Sequence, residues 1–277
     1  METLEWILSK GKESLESVGI EEAAIDAWYL FEFCFHISRA SYYLHCKDMA
    51  SQEETNRYFE MIEKRKLRIP LQHITNVREF MGLEFFVNEH VLIPRQDTEV
   101  LVEKVMESAD EKEILDICTG SGCIMISLAK LCHIKNGTAI DISAEALSIA
   151  KRNAKAHGVN IHFIESDLFT NVNGTFDIIV SNPPYIPTKD IEELMPEVRL
   201  HEPMLALDGF EDGLYFYREI IRNGKNYLRD NGEIFFEIGY DQGEAVSELL
   251  HMHGYEQVEV LKDLAGLDRV VYGKLVK

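Results

Sequence analysis

The stretch Ile114-Leu-Asp-Ile-Cys118-Thr-Gly-Ser-Gly122-Cys-Ile-Met-Ile-Ser-Leu-Ala-Lys-Leu131 decides the fold. Its opening is an apolar run of strand length, its end an apolar run of helical length, and Thr119 to Gly122 lie between. Glycines in such a turn let the backbone approach a ligand, and the helix start offers unpaired N–H groups. The alternation continues downstream. Strands are expected at 114–118, 138–142, 161–164, 176–180, 233–238, 257–261 and 269–275, with helices at 123–131, 144–157, 214–228 and 242–252. Strand and helix in turn imply a doubly wound α/β domain of seven strands with a parallel core. The last two strands are separated only by a turn at Gly266, so the final strand should run antiparallel.

Upstream, the chain reads differently. Leu4, Ile7, Leu8, Leu15 and Val18 fall at near-helical spacing, and 21–35 is apolar almost all round, as in a helix packed inside a bundle. Ser51-Gln-Glu-Glu54 has the capping-box arrangement and opens a third helix. The basic cluster Lys64 to Arg68 that ends it is expected to be a solvated, dipole-matched terminus. Residues 79–92 alternate around Asn88-Glu89 like a short hairpin. The expected organisation is thus a small helical docking domain at 1–72, a hairpin linker at 73–93 and a catalytic domain at 94–277. Asp97, Thr98 and Glu99 read as an N-cap and acidic first turn, which leaves Arg95 unexplained.

Asn182-Pro183-Pro184-Tyr185 follows the fourth strand of the α/β domain. Two prolines cannot donate to a sheet ladder, so the strand stops and the chain turns stiffly at its C-terminal end. In open α/β sheets that edge binds ligands. An Asn carboxamide, a proline carbonyl and a ring face suit a flat group bearing an NH₂. Asp141 ends the second strand, where an acid can accept from both hydroxyls of a ribose. Asp167, beside Leu168, follows the third, where a carboxylate can accept from an adenine NH₂. The dinucleotide fingerprint fails because Met125 stands where the third small residue belongs. A nicotinamide enzyme is therefore disfavoured. Glycine turn, two acids and Asn182 to Tyr185 on consecutive strands give the layout of an S-adenosylmethionine site.

The 277 residues carry 28 basic and 48 acidic side chains, a net charge of −20. Residues 1–82 hold ten basic and fourteen acidic residues, so the remainder carries −16. An acidic surface is poorly matched to bare nucleic acid and better matched to a basic protein. Five cysteines without a CxxC pair argue for reduced thiols and against a zinc site, so no metal is expected. No apolar run approaches the ~18 residues of a membrane span, and no secretory leader is visible. A cytoplasmic location is expected.

With these residues in hand, the chain resembles the Class I S-adenosylmethionine-dependent methyltransferases. More narrowly it resembles the HemK/PrmC family of protein-(glutamine-N5) methyltransferases. The resemblance spans nearly the whole chain and rests on Pro94-Arg95 with Asp97 to Glu99, Asp116 to Gly122, Ser181 to Tyr185, Glu202-Pro203, Ala206-Leu207 and Gly213-Leu214. It implies methyl transfer from S-adenosylmethionine, with S-adenosylhomocysteine as product, to the glutamine of the Gly-Gly-Gln loop in class I peptide release factors. Asp116, Cys118, Thr119, Gly120, Ser121, Gly122, Asp141, Asp167, Leu168 and Asn182 would hold the cofactor. Arg95 and Asn182 to Tyr185 would meet the substrate, with Asn182, Pro183 and Tyr185 as the catalytic group. Two positions depart from the family pattern, Cys118 for glycine and Gln96 for proline. A glutamine methyltransferase of a ribosomal protein and an N6-adenine methyltransferase of DNA or RNA share the Asn182–Tyr185 device and stay open as alternatives. A cofactor-binding scaffold does not need such a clamp.

Overall fold

The computed structural model describes residues 2–277, which divide into two compact units. One comprises residues up to Val77 together with Met195–His201; the other comprises Arg78–Leu194 and Glu202–Lys277.

The first unit is helical: α1 (Leu4–Glu16), α2 (Ala23–Phe35), α3 (Arg39–His45), α4 (Gln52–Lys66) and α5 (Leu71–Thr75). Ile7, Leu15, Leu30, Phe31, Tyr58 and Ile62 form its core. The N-cap at α4 forms as its spacing predicts, with Glu54 N donating to Ser51 Oγ at 3.2 Å, but the Glu54 carboxylate accepts from the Ser51 hydroxyl at 2.6 Å, so the two side chains pair with each other. Gly11 is needed in α1 because a Cβ there would overlap the Tyr58 hydroxyl at 2.0 Å. The expectation of a solvated basic terminus fails at Arg65. That side chain is buried, and its guanidinium binds Asp26 at 2.7 Å and Glu197 at 2.9 Å. Arg68 adds a bond to Glu197 at 3.3 Å. Glu197 lies 132 residues away in sequence, so local charge patterning could not show this partner.

In the second unit, a two-stranded sheet of β1 (Val77–Phe80) and β2 (Leu83–Phe86) turns at Met81-Gly82, both at positive φ. The hairpin therefore turns there and not at Asn88-Glu89, because two left-handed residues match the twist of flanking strands. Then follow α6 (Thr98–Met106), β3 (Glu113–Ile117), α7 (Cys123–Leu131), β4 (Asn136–Asp141), α8 (Ala144–His157), β5 (His162–Glu165) and β6 (Phe176–Ser181). A long connection holds α9 (Pro196–His201), which belongs to the first unit. The chain closes with α10 (Tyr215–Gly224), β7 (Leu228–Glu237), α11 (Gly243–Met252), β8 (Tyr255–Lys262) and β9 (Asp268–Leu275).

The seven strands lie in the order β5-β4-β3-β6-β7-β9-β8, with β9 antiparallel to both neighbours and the other pairs parallel. This is the expected seven-stranded sheet, with its last strand reversed as the Gly266 turn implies. Burial on both faces follows the period of two along each strand. Ile114, Ile178, Phe235 and Val270 enter one core with α6, α7 and the β1–β2 hairpin. Leu115, Ile179, Phe236 and Val271 enter the other, with Tyr217 of α10 and Val246 of α11. Helix α10 ends four residues before the expected limit, and β7 begins at Leu228 beside Phe176. The chain runs outward from β3 through β4 to β5, then returns to β6 on the other side of β3. The resulting switch point lies between β3 and β6, where a crevice opens at the strands' C-terminal ends.

Candidate active site

A cavity of about 300 Å³ occupies that crevice. Its floor is built from consecutive strand ends: Ile117 to Ser121 after β3, Ile140 to Ser143 after β4, Ser166 to Leu168 after β5, and Asn182 with Pro184 after β6. Arg95, Thr98 and His90 to Leu92 line one wall, and Pro203, Leu205, Phe210, Tyr215 and Phe216 another. The size falls within the range of ordinary small-molecule pockets.

The glycine turn is held by its neighbour strand. Gly120 N donates to Asp141 Oδ2 at 2.9 Å, and Ser143 N donates to Oδ1 at 3.0 Å. Each carboxylate oxygen keeps a lone pair for a further donor. Burial raises the Asp141 pKa despite these bonds. Gly120 sits at φ +55, and a Cβ built there would meet nothing within 4 Å. That open space is where a ligand can approach the backbone. Gly122 has another purpose: at φ +80, its Cβ would press on Ile126 at 2.8 Å and Ala150 at 3.1 Å, so it allows α7 and α8 to approach. Cys118 adopts φ +61, a left-handed conformation that disfavours any side chain, and lines the cavity. Burial pushes its thiol far above the ordinary range, so it stays protonated.

Not every expected residue faces the cavity. Asp116, Gly122, Pro183 and Tyr185 do not line it. Asp116 is fully buried behind the turn, where Thr119 Oγ1 donates to its Oδ2 at 2.5 Å. Burial pushes its carboxyl up to about 7, and Oδ1 has no hydrogen-bond partner among the described residues. Asp167 is exposed and lines the cavity beside Leu168, which sits at φ +45. Arg95 is half-committed: its Nη2 donates to Glu202 Oε1 at 2.5 Å, while Glu202 Oε2 accepts from Ile93 N at 3.2 Å.

The Asn182–Tyr185 loop is fastened from beneath. Ser181 Oγ donates to Ile117 O at 2.7 Å. Asn182 Nδ2 donates to Thr98 Oγ1 at 3.4 Å, and the Tyr185 phenol donates to Glu237 Oε1 at 3.3 Å. Burial and the Glu237 carboxyl hold that phenol well above its ordinary pKa, so it remains a neutral donor. Gln242 Nε2 donates to Tyr185 O at 3.0 Å, and its Oε1 accepts from Gly239 N at 2.9 Å. Gly209 and Gly213 lie against the Tyr185 backbone, where added Cβ atoms would fall 2.8 Å and 2.3 Å from main-chain atoms. Thr98, Gly209, Glu237 and Gln242 escaped the sequence reading because each acts across a fold contact. Only Thr98, adjoining Arg95 in a motif already singled out, carried any signal. Asp97, expected as the N-cap of α6, makes no capping hydrogen bond and instead faces Arg269 Nη2 at 3.3 Å.

The PrmC N-terminal domain pattern matches residues 7–75, and the methyltransferase small domain pattern matches 95–199. A release factor glutamine methyltransferase of Fusobacterium nucleatum is 40% identical over 275 residues, covering 97% of this chain and 78% of the relative. One from Geobacter sulfurreducens is 38% identical, covering 99% and 97%. Among solved structures, a Pyrococcus furiosus methyltransferase superposes with a TM-score of 0.54 at 16% identity, covering 82% of this chain and 100% of that one. A ribosomal protein L11 methylase from Lactobacillus delbrueckii subsp. bulgaricus gives 0.50 at 22% identity, covering 66% and 81%. Those two likenesses speak to the fold alone. A helical unit ahead of a methyltransferase sheet, near-full-length identity and an Asn182–Tyr185 loop at the switch point lead to one assignment: the chain belongs to the release factor glutamine methyltransferase family.

Proposed function

We propose that this enzyme methylates the side-chain amide nitrogen of the glutamine in the Gly-Gly-Gln loop of class I peptide release factors. The observation that carries the reading is the convergence of Gly120, Asp141, Asp167 and Asn182 on one cavity at the switch point. The residues fit S-adenosylmethionine: Gly120 opens space for it, Asp141 keeps lone pairs for ribose hydroxyls, and exposed Asp167 suits an adenine NH₂. The bound cofactor supplies an electrophilic methyl on a sulfonium, which leaves as neutral S-adenosylhomocysteine.

The chain's own residues then have to bind and orient the acceptor. Asn182 Oδ1 and the Pro183 carbonyl would accept the two N–H bonds of the glutamine amide, raising electron density on a nitrogen otherwise delocalised into its carbonyl. Tyr185, held by Glu237 and Gln242, would place its ring against the amide plane. These contacts would hold the amide nitrogen in line with the methyl that S-adenosylmethionine supplies, and the amide proton would pass to water after transfer has made the nitrogen acidic. Positioning and preorganised dipoles supply the rate, and no side chain is assigned as general base. Arg95 would line the substrate's entry. The net charge of −20 favours a basic protein partner over nucleic acid. No described helix is long and apolar enough to cross a membrane, and we place the enzyme in the cytoplasm with its substrate.

The test is transfer of labelled methyl from S-adenosylmethionine to a release factor and to its Gly-Gly-Ala variant. Label on the first alone supports the reading. Equal label on both, or on neither, overturns it.

A further inference from the structure

Three residues that line the cavity carry side chains at left-handed φ: Cys118 at +61, Leu168 at +45 and Phe210 at +67. Cys118 and Leu168 belong to the strand-end floor, whereas Phe210 stands on the wall with Pro203 and Leu205. A bulky side chain is disfavoured at such a φ because its Cβ crowds the neighbouring carbonyl. Burial does not explain the choice, since Phe210 is 48% exposed. Its turn is nevertheless pinned: Phe210 N donates to Asp208 Oδ1 at 2.9 Å, and Thr188 N donates to Phe210 O at 2.9 Å. Its ring meets Tyr215 edge to face at 4.6 Å and Phe216 at 5.7 Å between centroids, and those two rings meet each other at 5.2 Å. A ring held rigidly in a strained, half-exposed position at a cavity's rim points to function rather than packing. We infer that Phe210 is a specificity-determining residue for the acceptor: its fixed ring admits the glutamine only when the preceding residue has no side chain.

Two observations put the ring on the acceptor side. The polar groups suited to the cofactor, Gly120, Asp141 and Asp167, come from the strand-end floor. Phe210 instead follows Gly209, whose N donates to Ile186 O at 2.8 Å and where an added Cβ would fall 2.8 Å from the Tyr185 main chain. Asn182, Pro184 and Phe210 line the same cavity. A peptide that delivers a side chain to Asn182 past this wall lays its backbone on an aromatic ring. Glycine presents a flat peptide face to that ring at an ordinary contact of about 3.5–4 Å. A Cβ in between would lift the chain, and the amide nitrogen with it, by roughly 1 Å, a displacement that falls mainly on kcat. The inference deepens the functional reading above and rests on it.

The test compares release factors carrying a Gly-Gly-Gln or a Gly-Ala-Gln loop in steady-state methylation with saturating S-adenosylmethionine. The parent should prefer the first by at least about tenfold, chiefly in kcat. Phe210→Gly suits the left-handed φ, so the turn is kept while the ring is lost. It should slow on the Gly-Gly-Gln loop, yet close the preference to about threefold or less. Phe210→Tyr keeps the ring and should hold the parental preference within about threefold. Calorimetric affinity for S-adenosylhomocysteine should stay within about threefold in both variants; a larger loss would put the ring on the cofactor side and overturn the inference. A Phe210→Gly enzyme as selective as the parent overturns it, as does a parent that labels both loops alike. A Phe210→Tyr enzyme that loses selectivity as far as Phe210→Gly overturns it too. If the parent leaves the Gly-Gly-Gln factor unlabelled, the functional reading itself fails, a result distinct from label without selectivity.

Discussion

Replacing Gly209 with alanine tests whether the loop beneath Tyr185 sets the rate. A Cβ on Gly209 would lie 2.8 Å from the Tyr185 carbonyl carbon, 2.8 Å from its Cα and 2.8 Å from Gly213 Cα. All three are main-chain atoms, so no rotamer change relieves the contact. Ordinary contact begins near 3.4 Å, which leaves roughly 0.6 Å of forced displacement of the segment that carries Pro184 and Tyr185. Overpacking of this kind costs about 1–3 kcal/mol of stability. Misplacement by about 1 Å can cost a hundredfold in rate, so a ten- to hundredfold loss of kcat is expected on that scale. The Gly120–Asp141 side of the cavity is untouched, so cofactor affinity should stay within about threefold. The assay is single-turnover methylation of a release factor, alongside calorimetric titration of S-adenosylhomocysteine. Parental kcat in a folded Gly209→Ala enzyme would refute the argument. A loss of cofactor affinity matching the loss of rate would refute it equally, because the damage would not be confined to the acceptor loop.

Gly120→Ala should fold with a penalty of about 1–2 kcal/mol from its left-handed φ, yet bind S-adenosylhomocysteine at least about tenfold more weakly because its methyl enters the cavity; unchanged affinity would place the cofactor elsewhere. Arg65→Met strands the buried carboxylate of Asp26, while Glu197 keeps Arg68 at 3.3 Å, and should cost about 3–5 kcal/mol in urea unfolding; a loss below about 1 kcal/mol would mean water reaches the cluster. Glu113 supplies a pH test: Lys135 and Arg229 hold its carboxyl down to about 2 from the usual 4.5. Because the folded pKa is the lower one, this stabilisation is present above 4.5 and is lost as pH falls towards 2. Arg229→Met should therefore narrow its stability gap from the parent between about pH 5 and about pH 3, and a gap that widens on acidification would contradict the sign.

Much of the α/β domain was legible before any coordinates, because its signals are short-range. Strand and helix periods, the Gly120–Gly122 turn, the prolines after β6 and the Ser51 N-cap each involve residues a few positions apart. They fixed seven strands, the reversed last strand and the strand ends where Asp141, Asp167 and Asn182 stand. Short helices such as α3 escaped because seven residues are too few to display a period. The hairpin turn was misplaced because Asn88-Glu89 looked like a turn, while Met81-Gly82 took the positive φ values that a two-residue connection requires. What the sequence could not carry is direction and distant partnership. Whether Asp116 faces the cavity depends on which way one strand-end side chain points, and it points into the interior. Arg65 became a buried ion-pair centre only because Glu197 came to it from another part of the chain. The fastening of Asn182 and Tyr185 by Thr98, Gly209, Glu237 and Gln242 likewise arises from segments up to 84 residues apart. Local chemistry names the groups that can react; only the packed fold decides which of them meet, because burial and hydrogen-bond partnership are properties of contacts and not of spacing.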